Sequence, residues 1–309
     1  MYFFYLFDRE DRLGSNITNY TAQLLYAYYN RYIIRFTKEK ESYRYFSDSI
    51  FVRTLFEYIE KHNEKLTKHT DHHFLYGGCD DGNDDGTDDK YEYKFEHKGD
   101  LISTTTTVLQ DIKMDFMTYF FTTVFKDYND YNTDIPSKIF PKIPFDVDKT
   151  ILVHLRLDDV AHRPDYDGSL CSEYYKNKIR NHEECVLEFY GNGNHQAPFS
   201  KQKLEGIIQK AQQEFRDYKV VFITSPTSDT SSYVEYDDEV IRSHDENLDL
   251  YFLTMCKVVI LSRSTFALSS MFFNKNKVKT YIPLWGHFVC CGLDTVYDRT
   301  DPSKIEYFV

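Results

Sequence analysis

The apolar residues of this sequence follow two spacings that alternate along the chain. Short aromatic or branched runs predict buried strands at 2–6, 32–36, 151–157, 219–224, 258–261 and 278–282. Apolar residues three or four positions apart predict helices after Gly14, from Ser47 or Ser49, and at 109–124, 200–215, 247–256 and from Thr265. Strands that alternate with helices indicate parallel α/β sheets.

This alternation stops between residues 128 and 149. Asp, Asn and Tyr dominate the stretch, and Pro136, Pro141 and Pro144 cannot continue a helix or a central strand. We therefore predict two α/β domains, residues 1–147 and residues 148–309.

Composition excludes some partners and compartments. The chain has 309 residues and a net charge of −12, without the clustered Lys and Arg that a nucleic-acid backbone requires. Its six Cys residues form no C-x-x-C pair, which favours free thiols in a reducing compartment. The apolar start reaches Asp8 too soon for a signal or transmembrane segment, so we expect a cytoplasmic protein, with a membrane anchor outside this sequence as the alternative.

The first candidate for chemistry is the run from His154 to Asp159, at the end of the strand predicted at 151–157. Ligands of open α/β sheets bind beyond the carboxyl ends of the strands. A guanidinium such as that of Arg156 can grip a phosphate with two parallel hydrogen bonds. The alternative is a structural ion pair between Arg156 and Asp158 or Asp159.

Two further candidates lie between a strand and a helix. The segment Ser262-Arg263-Ser264-Thr265-Phe266 combines hydroxyls with free backbone N–H groups and a helix dipole, which suits a pyrophosphate. An ordinary Ser/Thr helix cap is the alternative. Near the N-terminus, Gly14 would allow a tight turn and a close approach to a ligand.

Three motifs resemble, in the same order, those of the inverting fucosyltransferase superfamily and its α-1,2-fucosyltransferases. They are Arg12-Leu13-Gly14-Ser15-Asn16 with Tyr20; His154, Arg156 and Asp159; and Asp249-Leu250 through Met255-Cys256-Lys257 with Ser262-Arg263-Ser264-Thr265-Phe266. The corresponding family patterns are G-x-L-G-N-Q-x-x-x-Y, H-x-R-x-x-D and D-L…M-x-x-C-K…I-S-N-S-T-F.

The resemblance implies a GT-B-like α/β architecture, in which two Rossmann-like doubly wound domains face a cleft. The N-terminal domain would take the acceptor and the C-terminal domain the nucleotide sugar. It further implies a metal-independent glycosyltransferase that transfers L-fucose from GDP-fucose to a glycan hydroxyl with inversion, and that needs no cofactor. Arg156 would neutralise the departing GDP. The implied donor-binding residues are Gly14, Ser15, Asn16, His154, Ser262, Arg263, Ser264 and Thr265.

Two departures from the family pattern leave the sugar open. Leu157 stands where the family has a second Arg, and Arg263, which replaces Asn, could restore that charge. A transferase for another nucleotide sugar is therefore an alternative. A catalytically decayed glycan-binding protein on the same scaffold is another.

A transferase of this kind needs a general base, which should be a carboxylate near the acceptor hydroxyl. The carboxylates near the candidate loops are Asp8, Glu10, Asp11, Asp158, Asp159 and Asp165. We select Asp159, with a structural role beside Arg156 as the alternative.

An acidic loop introduces a possible metal. Asp81, Asn83, Asp85 and Glu92 have the spacing of calcium ligands in an EF-hand loop. However, Asp88 occupies a usually aliphatic position, and residues 91–95 alternate like a strand. We interpret the loop as solvated surface and expect no metal in the donor site.

Overall fold

The computed structural model describes residues 3–8, 10–29, 32–69, 140–163, 196–235, 238–273, 277–285 and 302–309. The helix predicted at 109–124 and the acidic loop with Asp81, Asn83, Asp85 and Glu92 lie outside these residues, as does Asp165.

The first part of the chain forms a small parallel sheet with helices. Its elements are β1 (Phe3–Leu6), α1 (Leu13–Tyr29), β2 (Ile33–Phe36), a 3-10 turn (Lys40–Ser42) and α2 (Ile50–His69). Strands β1 and β2 pair in parallel, with Phe3 opposite Ile33. The hydroxyl of Ser49 accepts a hydrogen bond from the backbone of Val52 at 3.5 Å, so the predicted cap of α2 lies at Ser49.

The second part forms a larger parallel sheet. Its elements are β3 (Thr150–His154), α3 (Lys201–Glu214), β4 (Lys219–Thr224), β5 (Glu239–Arg242), α4 (Glu246–Met255), β6 (Val258–Ile260), α5 (Thr265–Ser269), β7 (Lys279–Pro283) and β8 (Ile305–Phe308). The six strands have the order β5-β4-β3-β6-β7-β8 and are all parallel. Counted from β3, this is the 3-2-1-4-5-6 order of Rossmann folds. The predicted α/β class with parallel sheets is therefore confirmed.

The larger sheet is apolar on both faces because helices cover both. On one face Ile151, Val153 and Phe222 pack with Leu204 and Ala211 of α3. On the other face Leu152, Val221, Ile223 and Val259 belong to one cluster with apolar residues of α1, α2, α4 and α5. The first part of the chain thus packs against this face of the larger sheet.

Helices α1 and α5 come very close together at Gly14. A Cβ atom added there would lie 2.5 Å from the backbone nitrogen of Phe266 and 2.7 Å from its Cβ. A second link joins the parts where the amide of Asn247 donates to the carbonyl of Asp48 at 2.8 Å. These contacts hold the start of α1 against the loops that follow β3 and β6.

Several elements differ from prediction. Strand β3 ends at His154 rather than at 157, and α5 has five residues before a 3-10 turn begins at Ser270. Strands β5 and β8 were not predicted, because each is a four-residue edge strand with mostly half-exposed side chains. No described helix combines the length and apolar character needed to cross a membrane.

Candidate functional site

A cavity of about 360 Å³ opens beyond the carboxyl ends of β3, β4 and β6. After β3 the chain adds β4 and β5 on one side of it, and then β6, β7 and β8 on the other side. Ligands of open α/β sheets bind at such a switch point in strand order. The cavity is lined by Asp11, Arg12, Leu13, Gly14, Ser15, His154, Leu155, Arg156, Asp158, Asp159, Gln196, Thr224, Ser225, Glu246, Asp249, Ser264, Thr265 and Phe266. Seven of the ten predicted site residues belong to this set: Gly14, Ser15, His154, Arg156, Asp159, Ser264 and Thr265.

Arg156 faces the cavity and also forms an ion pair. Its guanidinium lies 3.1 Å from the carboxylate of Asp159, and Arg12 approaches the same carboxylate at 3.8 Å from the loop before α1. Partial burial works to raise the pKa of Asp159, but the hydrogen bond and charge of Arg156, aided by Arg12, hold that pKa below its ordinary value. Asp159 is therefore ionised and already neutralised, which makes it a poor general base. The choice of Asp159 as base is not supported by this geometry.

His154 is held in place as a neutral imidazole. Its Nδ1 lies 2.7 Å from the Ser262 hydroxyl. Burial, reinforced by the positive charge of Arg156 and opposed by Asp158, lowers the pKa of His154 to about 3. Because His154 is uncharged at neutral pH, the cations that the described residues offer to a phosphate in this cavity are Arg156 and Arg12.

Hydroxyl groups surround Asp158 where β3 and β4 end. One carboxylate oxygen of Asp158 accepts hydrogen bonds from Ser228, at 2.7 Å, and from Ser225. This ties together the loops that follow the two strands. Beside it, Thr224 is 2% exposed, and its hydroxyl has no hydrogen-bond partner among the described residues. Thr224 therefore offers a cavity-lining polar group that a ligand can satisfy.

The first turn of α4 brings two further carboxylates, Glu246 and Asp249, to the cavity. Burial raises the pKa of Asp249 to about 7, against a 2.6 Å hydrogen bond from the Ser243 hydroxyl. Burial also raises the pKa of Glu246, an effect that Arg12 opposes. In the sequence, Asp249 belongs to one of the three family-like motifs, whereas Glu246 belongs to none of them. Both follow β5, the strand that was not predicted.

The segment after β6 presents free hydroxyls, although its helix is short. Ser264 occupies the N-cap position of α5, but its side chain makes no capping hydrogen bond. The alternative reading of Ser264 as an ordinary side-chain cap is therefore wrong, and its hydroxyl lines the cavity with that of Thr265. The dipole of a five-residue helix is smaller than the predicted longer helix would supply.

Three predicted donor-binding residues do not line the cavity and make other contacts instead. Asn16 is fully buried, and its amide donates to the carbonyls of Asp11 and Arg12 at 2.8 and 3.2 Å. Ser262 orients His154. Arg263 is 1% exposed and donates to the carbonyl of Ala197 at 3.0 Å. Arg263 is not among the residues that line the main cavity, so its charge lies outside that cavity.

Gly14 lines the cavity, but not in a turn. It lies in the first turn of α1, and its missing side chain makes room for the Phe266 backbone. The close approach expected at Gly14 is therefore to another part of the chain.

The chain matches no protein-family model, no curated protein and no solved structure. The likeness to fucosyltransferases therefore stays a prediction from the motifs.

The described lining of the cavity is rich in charge. Two arginines, Arg12 and Arg156, face five carboxylates, those of Asp11, Asp158, Asp159, Glu246 and Asp249. Within the described residues no three His, Cys, Asp or Glu side chains converge in a way that could hold a metal ion. The arrangement can meet a phosphate with two guanidinium groups, and it can hydrogen-bond N–H or O–H groups with unpaired acceptors.

Proposed function

We propose that this protein is an inverting glycosyltransferase that uses a nucleotide sugar, with GDP-fucose as its donor. One observation carries the proposal: residues of all three motifs line one cavity at the switch point of a Rossmann-like sheet. We further propose that the two α/β parts form a GT-B-like pair, in which residues 1–147 take the glycan acceptor.

In this proposal Arg156 binds the β-phosphate of the donor. Its guanidinium is positioned by Asp159. When Arg156 turns to the phosphate, Arg12 still neutralises the negative charge of Asp159. Arg12 also supplies the second positive charge that Leu157 does not. As the bond from sugar to phosphate breaks, negative charge grows on GDP, and two preplaced cations stabilise it most at that point. Hydroxyls of Ser264 and Thr265 donate to the remaining phosphate oxygens.

Asp249 supports guanine as the base. Guanine has two adjacent N–H donors on its pairing edge, and one ionised carboxylate can accept from both. With its pKa raised to about 7, Asp249 is partly protonated in the empty site at neutral pH. Binding of guanine would favour the ionised form and release a proton. Uracil and adenine lack this pair of donors.

Calorimetry tests the donor assignment. GDP should bind more tightly than UDP or ADP, and its affinity should increase from pH 6 to pH 8. Asp249→Asn should remove most of this preference. Arg156→Lys should also weaken GDP binding, and Arg216→Lys, on the exposed segment after α3, is its control because it makes the same substitution away from the cavity. A clear preference for UDP would reject GDP-fucose as the donor and favour the alternative, a transferase for another nucleotide sugar.

Turnover tests the enzyme class itself. Release of GDP from GDP-fucose, with water or lactose as acceptor, should require Arg156. Binding of GDP without any such release would favour the decayed, non-catalytic alternative.

A further inference from the structure

We propose that Glu246 is the general base of the transfer and takes the proton from the acceptor hydroxyl. This inference rests on the proposed function and adds a catalytic residue to it.

The other described carboxylates of the cavity already have partners. Asp159 is paired with Arg156, and Asp158 accepts from Ser225 and Ser228. Asp249 accepts a hydrogen bond from Ser243 at 2.6 Å. Asp159 and Asp158 are thus engaged by other groups of the protein, and Asp249 is the residue proposed above to bind guanine, so Glu246 and Asp11 are left for the acceptor.

Asp11 is the remaining competitor. It is exposed, and its Oδ1 accepts the backbone N–H of Arg12 at 2.8 Å, so it stabilises its own loop. Glu246, in contrast, accepts no hydrogen bond from any described residue while it lines the same cavity. Its carboxylate is therefore available to an incoming hydroxyl.

The position of Glu246 suits contact with an acceptor. It is the first residue of α4, after the N-cap Asp245, and its side chain is solvent-accessible at the edge of the cavity. A glycan can reach it from solvent while the donor occupies the strand ends. The start of α4 also places the positive end of the helix dipole beside the carboxylate, which helps to keep it ionised before reaction.

The charges around Glu246 set its basicity. Partial burial raises its pKa, Arg12 from the opposite loop lowers it, and Asp245 raises it again. Two further titratable groups interact with it electrostatically: Tyr45, from the loop before α2, and Asp249, one turn along α4. A carboxylate whose pKa is raised removes a proton more effectively than an ordinary glutamate.

The chemical step balances without a further reactant. The acceptor oxygen forms a bond to the anomeric carbon of the sugar, while the bond from that carbon to the β-phosphate oxygen breaks. The electron pair of the broken bond leaves with GDP, next to Arg156. The acceptor proton passes to the carboxylate of Glu246 and then to solvent.

The test compares Glu246→Gln and Glu246→Asp with the wild-type protein, using GDP-fucose with lactose or water as acceptor. Glu246→Gln should lower kcat by about 10²- to 10⁴-fold and leave the GDP dissociation constant within about threefold of wild type. The acid limb of the pH–kcat profile, which should lie above the ordinary pKa of glutamate, should vanish in this variant. Glu246→Asp should keep a carboxylate, some activity and the acid limb. Glu205→Gln, which removes the same charge from the exposed face of α3, should behave like wild type.

The outcomes separate the two proposals. A wild-type protein that consumes GDP-fucose, together with a Glu246→Gln variant of normal kcat and unchanged pH profile, would overturn the base assignment and leave the transferase intact. A wild-type protein that does not consume any nucleotide sugar would overturn both. A loss of activity that is matched by an equal loss of GDP affinity would make Glu246 a binding residue and reject its role as base.

Discussion

Replacing Gly14 by alanine tests how the candidate site is held together. In a helix, Gly→Ala is normally stabilising, by about 0.5–1 kcal/mol, because alanine loses less backbone entropy on folding. At Gly14 we expect the opposite, because the added methyl group would meet the backbone of Phe266 rather than a movable side chain.

The size of the effect follows from the distances. The new Cβ would lie 2.7 Å from the Cβ of Phe266, which is about 1 Å short of the ~3.5–4.0 Å at which carbon atoms attract each other. Helix α1 or α5 would have to move by roughly that amount. Overpacking of this kind costs about 1–3 kcal/mol, and a backbone clash places it near the upper end; the helix gain of about 0.5–1 kcal/mol from alanine reduces this to a net loss of about 2 kcal/mol. At about 2–4 °C per kcal/mol, the melting temperature should fall by about 4–8 °C.

Gly206 provides the matched control. It lies on the exposed face of α3, and a Cβ added there would meet no atom within 4 Å. Gly206→Ala should therefore raise the melting temperature by about 1–4 °C, given the gain of about 0.5–1 kcal/mol. Thermal unfolding of both variants, followed by calorimetry with GDP, measures stability and site geometry separately.

A shift of α5 should also weaken the ligand site. Ser264, Thr265 and Phe266 line the cavity next to the contact with Gly14. We therefore expect Gly14→Ala to lose GDP affinity while Gly206→Ala keeps it. Equal stabilisation by both substitutions would refute the close contact of α1 with α5. Destabilisation with unchanged GDP binding would show that the contact does not shape the site.

Three further predictions concern charge. Arg156→Lys should lower turnover by about 10²–10³-fold, because one transition-state donor is worth about 2.7–4 kcal/mol; near-normal activity, equal to that of Arg216→Lys, would make Arg156 structural. Burial lowers the pKa of Lys277 to about 7, so the folded state binds less proton than the unfolded state between pH 7 and about 10. The free energy of unfolding should therefore rise with pH in that window. In Lys277→Met this pH dependence should be weaker, and the variant should be more stable than the wild type at pH 7. A wild-type curve without the rise would contradict the lowered pKa of Lys277. Turnover should continue in excess EDTA, and NMR of the product should show inversion at the transferred anomeric carbon. A loss of activity in EDTA that manganese restores would reject the metal-independent mechanism, and a retained configuration would reject the single displacement.

Much of the larger sheet could be predicted because its central strands contain continuous apolar runs. The runs at β3, β4 and β6 are buried on both faces, and such runs predict central parallel strands. Since ligands bind where these strands end, Arg156, Ser264 and Thr265 could be located from sequence alone.

The remaining parts of the site depend on tertiary contacts that leave no local signal. Strand β5 has two apolar residues, Val240 and Ile241, both half-buried, so its pattern is weak. Without β5, the start of α4 could not be placed at the cavity, and Glu246 was missed.

Side-chain direction was the other obstacle. Nothing in the local sequence tells Arg263, which turns towards Ala197, from Arg156, which turns into the cavity. Gly14 suggested a turn because glycine is disfavoured in helices, but the contact with Phe266 outweighs that preference.

The contact of Gly14 with Phe266 also has a consequence for synthesis on the ribosome. The two residues are 252 positions apart in the chain, so at about 5–20 residues per second Phe266 is made roughly 13–50 s after Gly14. During that interval the start of α1 lacks the partner that covers it. A nascent chain stalled before β6 would expose this apolar helix face to chaperones and to other chains. Translation speed over the intervening residues should therefore affect how much of the protein reaches its folded state.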